Sequence, residues 1–217
     1  DGNICYCIEP GVPQNPGDVF TNRGEDFWDN YPSDYNKTIS PDEIKTFIGR
    51  ILQYGYTGQI SLGWRSQNDG GDKLAHAVAT QLLIWETIVG ERDFDFGKVD
   101  TGSYDAVADQ ISSNHPLHDQ IMSYYKNIVS KVQKHSKVPS FFAKSTGKAQ
   151  TIEMEWDGEK YIATMTDKND VLGNYSFSAS EAGIRFAVAG NQLVITADEA
   201  PSETVTITAS KTNSQRR

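Results

Sequence analysis

The spacing of apolar residues divides the chain into two regimes. Between residues 40 and 138 the apolar positions recur at helical spacing. Ser40-Pro41-Asp42-Glu43 forms a capping box with proline at the first helical position, and Ile44, Phe47, Ile48, Ile51 and Leu52 follow on one face. Gly55 stops that helix. A long glycine-rich loop runs to Gly71, and Asp72 is placed to cap a helix reaching Gly90. A third helical pattern starts near Ser103, and a fourth spans about Pro116 to Lys137 with Ile121, Tyr124, Tyr125, Ile128, Val129 and Val132.

From Pro139 the period changes to two. Thr151–Trp156 alternates, Asp157-Gly158 is a hairpin turn, and Tyr161–Thr166 returns. Arg185–Ala189, Gln192–Ala197 and Val205–Ala209 read as further strands. Residues 1–40 are broken by prolines and glycines, and only Ile4–Ile8 reads there as a strand. The expected fold is α+β: an antiparallel sandwich or barrel built from the N-terminal strand plus the C-terminal strands, with a helical subdomain inserted. The expected grouping is 1–40 with 139–212, mostly β, and 41–138, mostly helical, within one domain covering 1–217.

One residue breaks the pattern of the second helix. Leu74, Ala77, Val78, Leu82, Ile84, Trp85, Ile88 and Val89 form an apolar stripe at about 100° per residue, and Gln81 lies near its middle. A buried carboxamide without partners costs about 1–3 kcal/mol. Either a neighbouring backbone satisfies it, or its nitrogen has been lost in a covalent bond to a cysteine sulfur. The chain has two cysteines, Cys5 and Cys7, in Ile4-Cys5-Tyr6-Cys7-Ile8-Glu9-Pro10-Gly11. Both fall on one face of a strand, so periodicity does not choose between them, and their spacing suits no disulfide. Either one can also serve simply as a small apolar filler.

The Tyr-Cys-Ile-Glu-Pro-Gly opening, the Thr80-Gln81-x-x-Ile84-Trp85-Glu86 helix and Tyr54-Gly55-Tyr56-Thr57-Gly58 resemble the thioester domains of Gram-positive surface and pilus-tip adhesins. The resemblance continues into Gly190–Thr196. It implies an internal thioester between Cys7, which matches the aromatic-Cys motif, and Gln81. It further implies reaction with an amine, a lysine of a host surface or matrix protein or a small amine, to leave a covalent bond. By that chemistry the protein is a single-use reactant rather than an enzyme, needs no cofactor, and works on the bacterial cell-wall surface as a monomeric module of a longer chain. Aromatic walls would protect such a bond from water. Tyr54, Tyr56 and Trp85 are the foremost candidates, with Tyr6 and Trp64 beside them.

The 217 residues carry a net charge of −9 with a pI near 4.9 and a mean hydropathy of −0.53. That balance excludes a nucleic-acid binder, which needs clustered cations, and disfavours anionic membranes. It favours cationic partners, or serves solubility alone. No apolar run approaches the roughly 20 residues of a membrane span. His115, His118 and Asp119 read as a helix start rather than a metal site, and Asp167-Lys168-Asn169-Asp170 as a polar turn, so no metal is expected. His76 and Glu86 point away from Gln81 at helical spacing. Asp69 and Asp72 are weak acid–base candidates. Two other classes remain open on the sequence: a non-covalent surface module holding sugar or peptide, and a cysteine hydrolase with Cys7 as nucleophile and Gln81 as oxyanion donor.

Overall fold

In the computed structural model the described residues are 4–13, 15, 17–19, 24, 26–29, 31, 36–59, 71–102, 110–143, 149–201 and 203–213. The expected helix from Ser103, Trp64 and Asp69 lie outside them. The chain forms two compact units, one of Asp1–Gln133 with Gln215–Arg217, the other of Lys134–Ser214.

The first unit is helical: α1 (Asp26–Asp29), α2 (Pro41–Tyr54), α3 (Gly71–Ile88) and α4 (His118–Lys134). The start of α2 is as the sequence predicts. Ser40 accepts from the Glu43 N–H, Glu43 Oε2 accepts from the Ser40 N–H at 2.8 Å, and Pro41 opens the first turn. α3 is buried on most of its surface, with Ala75, Ala79, Leu82, Leu83, Ile84 and Ile88 in the core. It is the central rod of the unit rather than a helix with one apolar stripe. Small residues such as Ala75 and Ala79 let its neighbours come close. Ile44, Ile48 and Ile51 of α2 and Ile121, Ile128 and Val132 of α4 belong to the same core.

α2 meets α3 at Gly55. A Cβ there would sit 2.5 Å from Thr80 Cγ2, 2.6 Å from Thr80 Oγ1 and 2.7 Å from the Ile51 carbonyl oxygen, all below contact distance. Glycine is thus required by proximity. At Gly90, just past α3, the backbone is left-handed (φ 85°), and Asn36 and Thr38 close over it. Asn36 Nδ2 donates to the Thr87 carbonyl at 2.7 Å, and Thr38 Oγ1 to the Gly90 carbonyl at 2.7 Å.

Beyond α3 a charged cluster is buried. Glu86 accepts from Arg92 Nε at 2.9 Å and Nη2 at 2.6 Å, and from the Tyr125 hydroxyl at 2.8 and 2.7 Å. Lys98 Nζ lies 3.3 Å from the same carboxylate, while Arg92 also donates to the Phe96 carbonyl at 3.1 Å. Every lone pair that burial removes from water is thereby answered, the condition under which a buried ion pair is tolerated.

The second unit carries two antiparallel sheets. β1 (Glu155–Trp156), β2 (Tyr161–Thr166), β5 (Gln192–Ala197) and β4 (Arg185–Ala189) form one, in the order β1-β2-β5-β4. β3 (Tyr175–Ala179) and β6 (Ile207–Lys211) form the other. In β5, Leu193, Ile195 and Ala197 are buried on alternate positions, as the period predicts. Leu172, Leu193 and Ile195 centre the core, joined by Phe177 and Ile207 from the second sheet. Asp167 anchors the polar turn. Burial pushes its carboxyl up, but backbone N–H groups of Val171, Ser140 and Asn169 outweigh that and hold it below the usual carboxylate range.

The α+β class and the antiparallel sheets are as expected. The N-terminal segment is not: residues 4–7 have no strand assignment, and the segment belongs to the helical unit. Tyr6 and Ile8 pack against the helical core. The physical reason is that its apolar side chains find a ready surface on α2 and α3, while part of its backbone bonding is met by a side chain of α3.

Candidate functional site

That side chain is Gln81. Its Oε1 accepts from the Cys7 N–H at 2.8 Å, and its Nε2 donates to the Cys7 carbonyl at 2.7 Å. The carboxamide thus pairs with one peptide residue as a second strand would, across 74 positions of sequence. The pairing answers the question raised by a polar residue on an apolar helix. The residue it clasps is Cys7 rather than Cys5. Cys7 is half-buried, whereas Cys5 is exposed, and the two are not joined by a disulfide. The Cys7 thiol donates to the Glu9 carbonyl at 3.3 Å.

The chemistry available to this arrangement is specific. A backbone N–H directed at a carbonyl oxygen stabilises charge that develops there when the carbon is attacked. Here the attacked carbon would be Gln81 Cδ, and the nucleophile would be the thiol of the clasped residue.

Thr80 builds the support beneath. It is fully buried, donates through Oγ1 to the His76 carbonyl at 2.8 Å, and accepts from the Tyr56 N–H at 2.9 Å. The Tyr6 hydroxyl donates to the Tyr56 carbonyl and also bonds to Thr80. Burial pushes the Tyr6 phenol up to about 12, Thr80 opposing. Residues flanking both members of the Cys7–Gln81 pair are therefore tied to one another through the turn after α2. The Thr-Gln order carries this role, since helical neighbours place one side chain under the turn and the next against Cys7.

The aromatic candidates occupy several places. The Tyr56 hydroxyl donates to the Gln59 carbonyl at 2.7 Å, and its ring meets the His76 ring edge-on at 5.7 Å. Tyr54 and Trp85 are half-buried against the helical core, and the Trp85 indole N–H is buried with no acceptor among the described residues. A groove of about 360 Å³ in the helical unit is lined by Ile4, Tyr6, Ile8, Ile48, Leu52, Thr57 and Ile84, with neither Cys7 nor Gln81 among its described lining residues. Of the described aromatics named from the sequence, only Tyr6 lines it. Its other described lining residues are aliphatic apart from Thr57.

His76 turns away from the pair, as its helical angle predicts. Its ring stacks on Tyr124 at 4.2 Å and 9°, and burial pushes its pKa down, against a hydrogen bond with the Tyr54 backbone. Asp72 accepts from the Tyr124 hydroxyl at 2.8 Å. Glu86 serves the buried cluster, a structural role that sequence reading missed because its partners lie 6, 12 and 39 residues away in the chain. His115 Nδ1 accepts from the Leu117 N–H at 3.1 Å just before α4 begins. Among the described residues no group of three His, Cys, Asp or Glu is placed to hold a metal, and no helix is long and apolar enough to cross a membrane.

The thioester-domain family model matches residues 4–134, which contain the whole Cys7–Gln81 arrangement, and the chain belongs to that family. Among solved structures it is similar to the thioester domain of the Staphylococcus aureus TIE protein, at 23% identity over 75% of this chain, with a TM-score of 0.35. The match spans 54% of that chain. A comparison with curated proteins finds no match. Membership places the protein in a class of covalent-binding modules.

Proposed function

We propose that Cys7 and Gln81 form an internal thioester, and that this bond makes the protein a covalent adhesin module of a Gram-positive cell surface. Sγ of Cys7 attacks Cδ of Gln81, the C–N bond breaks, and ammonia leaves. An amine, in this reading a lysine of a host surface or matrix protein, later attacks the same carbon. The C–S bond breaks, the amine proton goes to sulfur, and Gln81 is left joined to its partner by an amide. Each molecule reacts once, so the protein is a binder and not an enzyme. It acts extracellularly, as a monomeric module carried by a wall-anchored chain.

The observation that carries this reading is the reciprocal hydrogen bonding of the Gln81 carboxamide to the Cys7 backbone. The family match supports it. Intact mass of freshly purified protein, with and without methylamine, tests it. The expected mass falls short of the sequence by one ammonia and rises by one methylamine, with the adduct on the peptide holding Gln81. Cys7→Ala and Gln81→Ala take up none. A full sequence mass unchanged by amine refutes the thioester and leaves a non-covalent sugar- or peptide-binding module.

A further inference from the structure

The first hairpin of the second unit is paired over only part of its length. β1 meets β2 at two positions, Glu155 with Ile162 and Trp156 with Tyr161. In an antiparallel sheet the backbone groups of successive residues point to opposite edges. The Asp167 N–H donates to the Asn191 carbonyl at 2.7 Å, so Ala163 and Met165 bond β5 while Ile162, Thr164 and Thr166 face the β1 side. The bond from the Asp157 N–H to the Lys160 carbonyl sets the same alternation from the hairpin end. Ile162 is answered by Glu155. The backbone groups of Thr164 and Thr166 have no partner strand on that side among the described residues. Beside them lies a groove of about 700 Å³, walled by residues 162–166 of β2 and, across from them, by Gln150, Ile152, Glu153 and Glu155. A strand within a sheet takes up roughly 4.8 by 10 Å in section and 3.4 Å in length per residue, about 160 Å³ each. The groove thus has room for about four residues of extended chain.

We infer that this groove takes one extended segment of a partner polypeptide, added to the edge of β2 as a further strand, with basic residues opposite Thr164 and Thr166 and an apolar residue between them. Main-chain bonds to Thr164 and Thr166 supply attraction whatever the side chains, and the groove walls select among sequences. Glu155 lies on the face of its partner Ile162, which is also the face of Thr164 and Thr166. Glu153 lines the groove two residues away, and both carboxylates are exposed. A residue opposite Thr164 or Thr166 projects to that same face, where a lysine or arginine meets a carboxylate. The residue between projects to the other face, where Ala163 and Met165, with Phe141, give the groove an apolar lining. The cation of the lining, Lys168, follows Thr166 by two residues, so the basic stretch ends there. The inference concerns the second unit alone and stands or falls apart from the thioester.

The experiment titrates the whole chain with the peptide acetyl-Thr-Lys-Val-Lys-Thr-amide and follows backbone amides by NMR. Saturable shifts are expected at residues 150–155 and 162–166, with new exchange protection at the Thr164 and Thr166 amides. The same peptide N-methylated at both lysines cannot donate to the Thr164 and Thr166 carbonyls and binds about tenfold more weakly or worse. Glutamate in place of both lysines weakens binding several-fold, and the Glu153→Gln, Glu155→Gln double variant narrows that difference. No shift at millimolar peptide, or equal binding of the N-methylated form, overturns the inference. Equal binding of the lysine and glutamate peptides overturns the basic occupant. Thr164 and Thr166 amides already protected in the free chain overturn it too. Protection independent of protein concentration would mean that residues 151–154 close onto β2, and protection that grows with concentration that a second copy takes the edge.

Discussion

Opening the proposed bond without changing any side-chain position isolates what the bond contributes to stability. Methylamine does this in the wild-type protein: it leaves Cys7 as a thiol and Gln81 as a methylamide, with the rest of the chain identical. The bond closes a loop of 74 positions, and both ends lie in the unit of Asp1–Gln133. In the chain-entropy treatment of crosslinks, a loop of that length restricts the unfolded chain by about 4.5 kcal/mol at 25 °C. With an unfolding entropy of about 2.1 cal/mol/K per residue, a unit of this size loses about 15 °C of melting temperature when the bond opens. Scanning calorimetry of intact protein, methylamine-treated protein and Cys7→Ala measures it. The two opened forms should melt together, well below the intact one. Gln81→Ala should melt lower still, by about 1–2 kcal/mol, because it also removes both hydrogen bonds to the Cys7 backbone. An amine-treated protein that melts with the intact form refutes the stapling argument.

Three further outcomes follow from the geometry. Glu86→Ala strands the buried Arg92 guanidinium, which should cost about 3–5 kcal/mol and be read as a large loss in denaturant midpoint, while Glu86→Gln costs less. Gly55→Ala drives a Cβ into Thr80 and should destabilise by about 1–3 kcal/mol, with partial recovery in the Gly55→Ala, Thr80→Ala double variant. Tyr6 has a folded pKa raised to about 12 from 10.0, so the stability it contributes is complete below pH 10 and is lost as pH rises through 12. A tyrosinate absorbance titration of Cys7→Ala, in which no thioester can hydrolyse, should show a phenol titrating near 12 that Tyr6→Phe removes, while the raised phenols of Tyr124 and Tyr175 remain.

Local signals explain which elements were legible in the sequence. The Ser40–Glu43 cap, the Asp157-Gly158 turn and the hairpin of Arg185–Ala189 with Gln192–Ala197 rest on interactions close in sequence, and Tyr161–Thr166 shows its own alternation although it pairs with the distant Gln192–Ala197; the structure has them where the pattern puts them. β3, Tyr-Ser-Phe-Ser-Ala, is not among the strands read from the pattern, although the turn pair Gly173-Asn174 directly precedes it. The last strand is Ile207–Lys211 rather than Val205–Ala209, a shift fixed by its pairing with β3. Thr151–Trp156 alternates like a strand, yet only Glu155 and Trp156 pair. Ile4–Ile8 has strand-like composition, but composition does not say whether its backbone will meet another strand or a glutamine side chain. Cys7 and Gln81 were legible together only through the family resemblance. Neither periodicity nor charge links two residues so far apart, and the same holds for Glu86 and Tyr125.

The position of Gln81 on the central helix also fixes how the molecule would bear load. When a partner is held at Gln81 and the chain is pulled from beyond Lys134, tension enters at the middle of α3. It runs through residues 82–133 and bypasses everything before Gln81, including the N-terminal segment that Cys7 has by then released. Along that route α3 is joined to α4 by the Glu86–Tyr125 contact, with Arg92 locked between them. The buried charges that take no part in the chemistry then act as the shear pin of the anchored module, and the first helices hang slack from it.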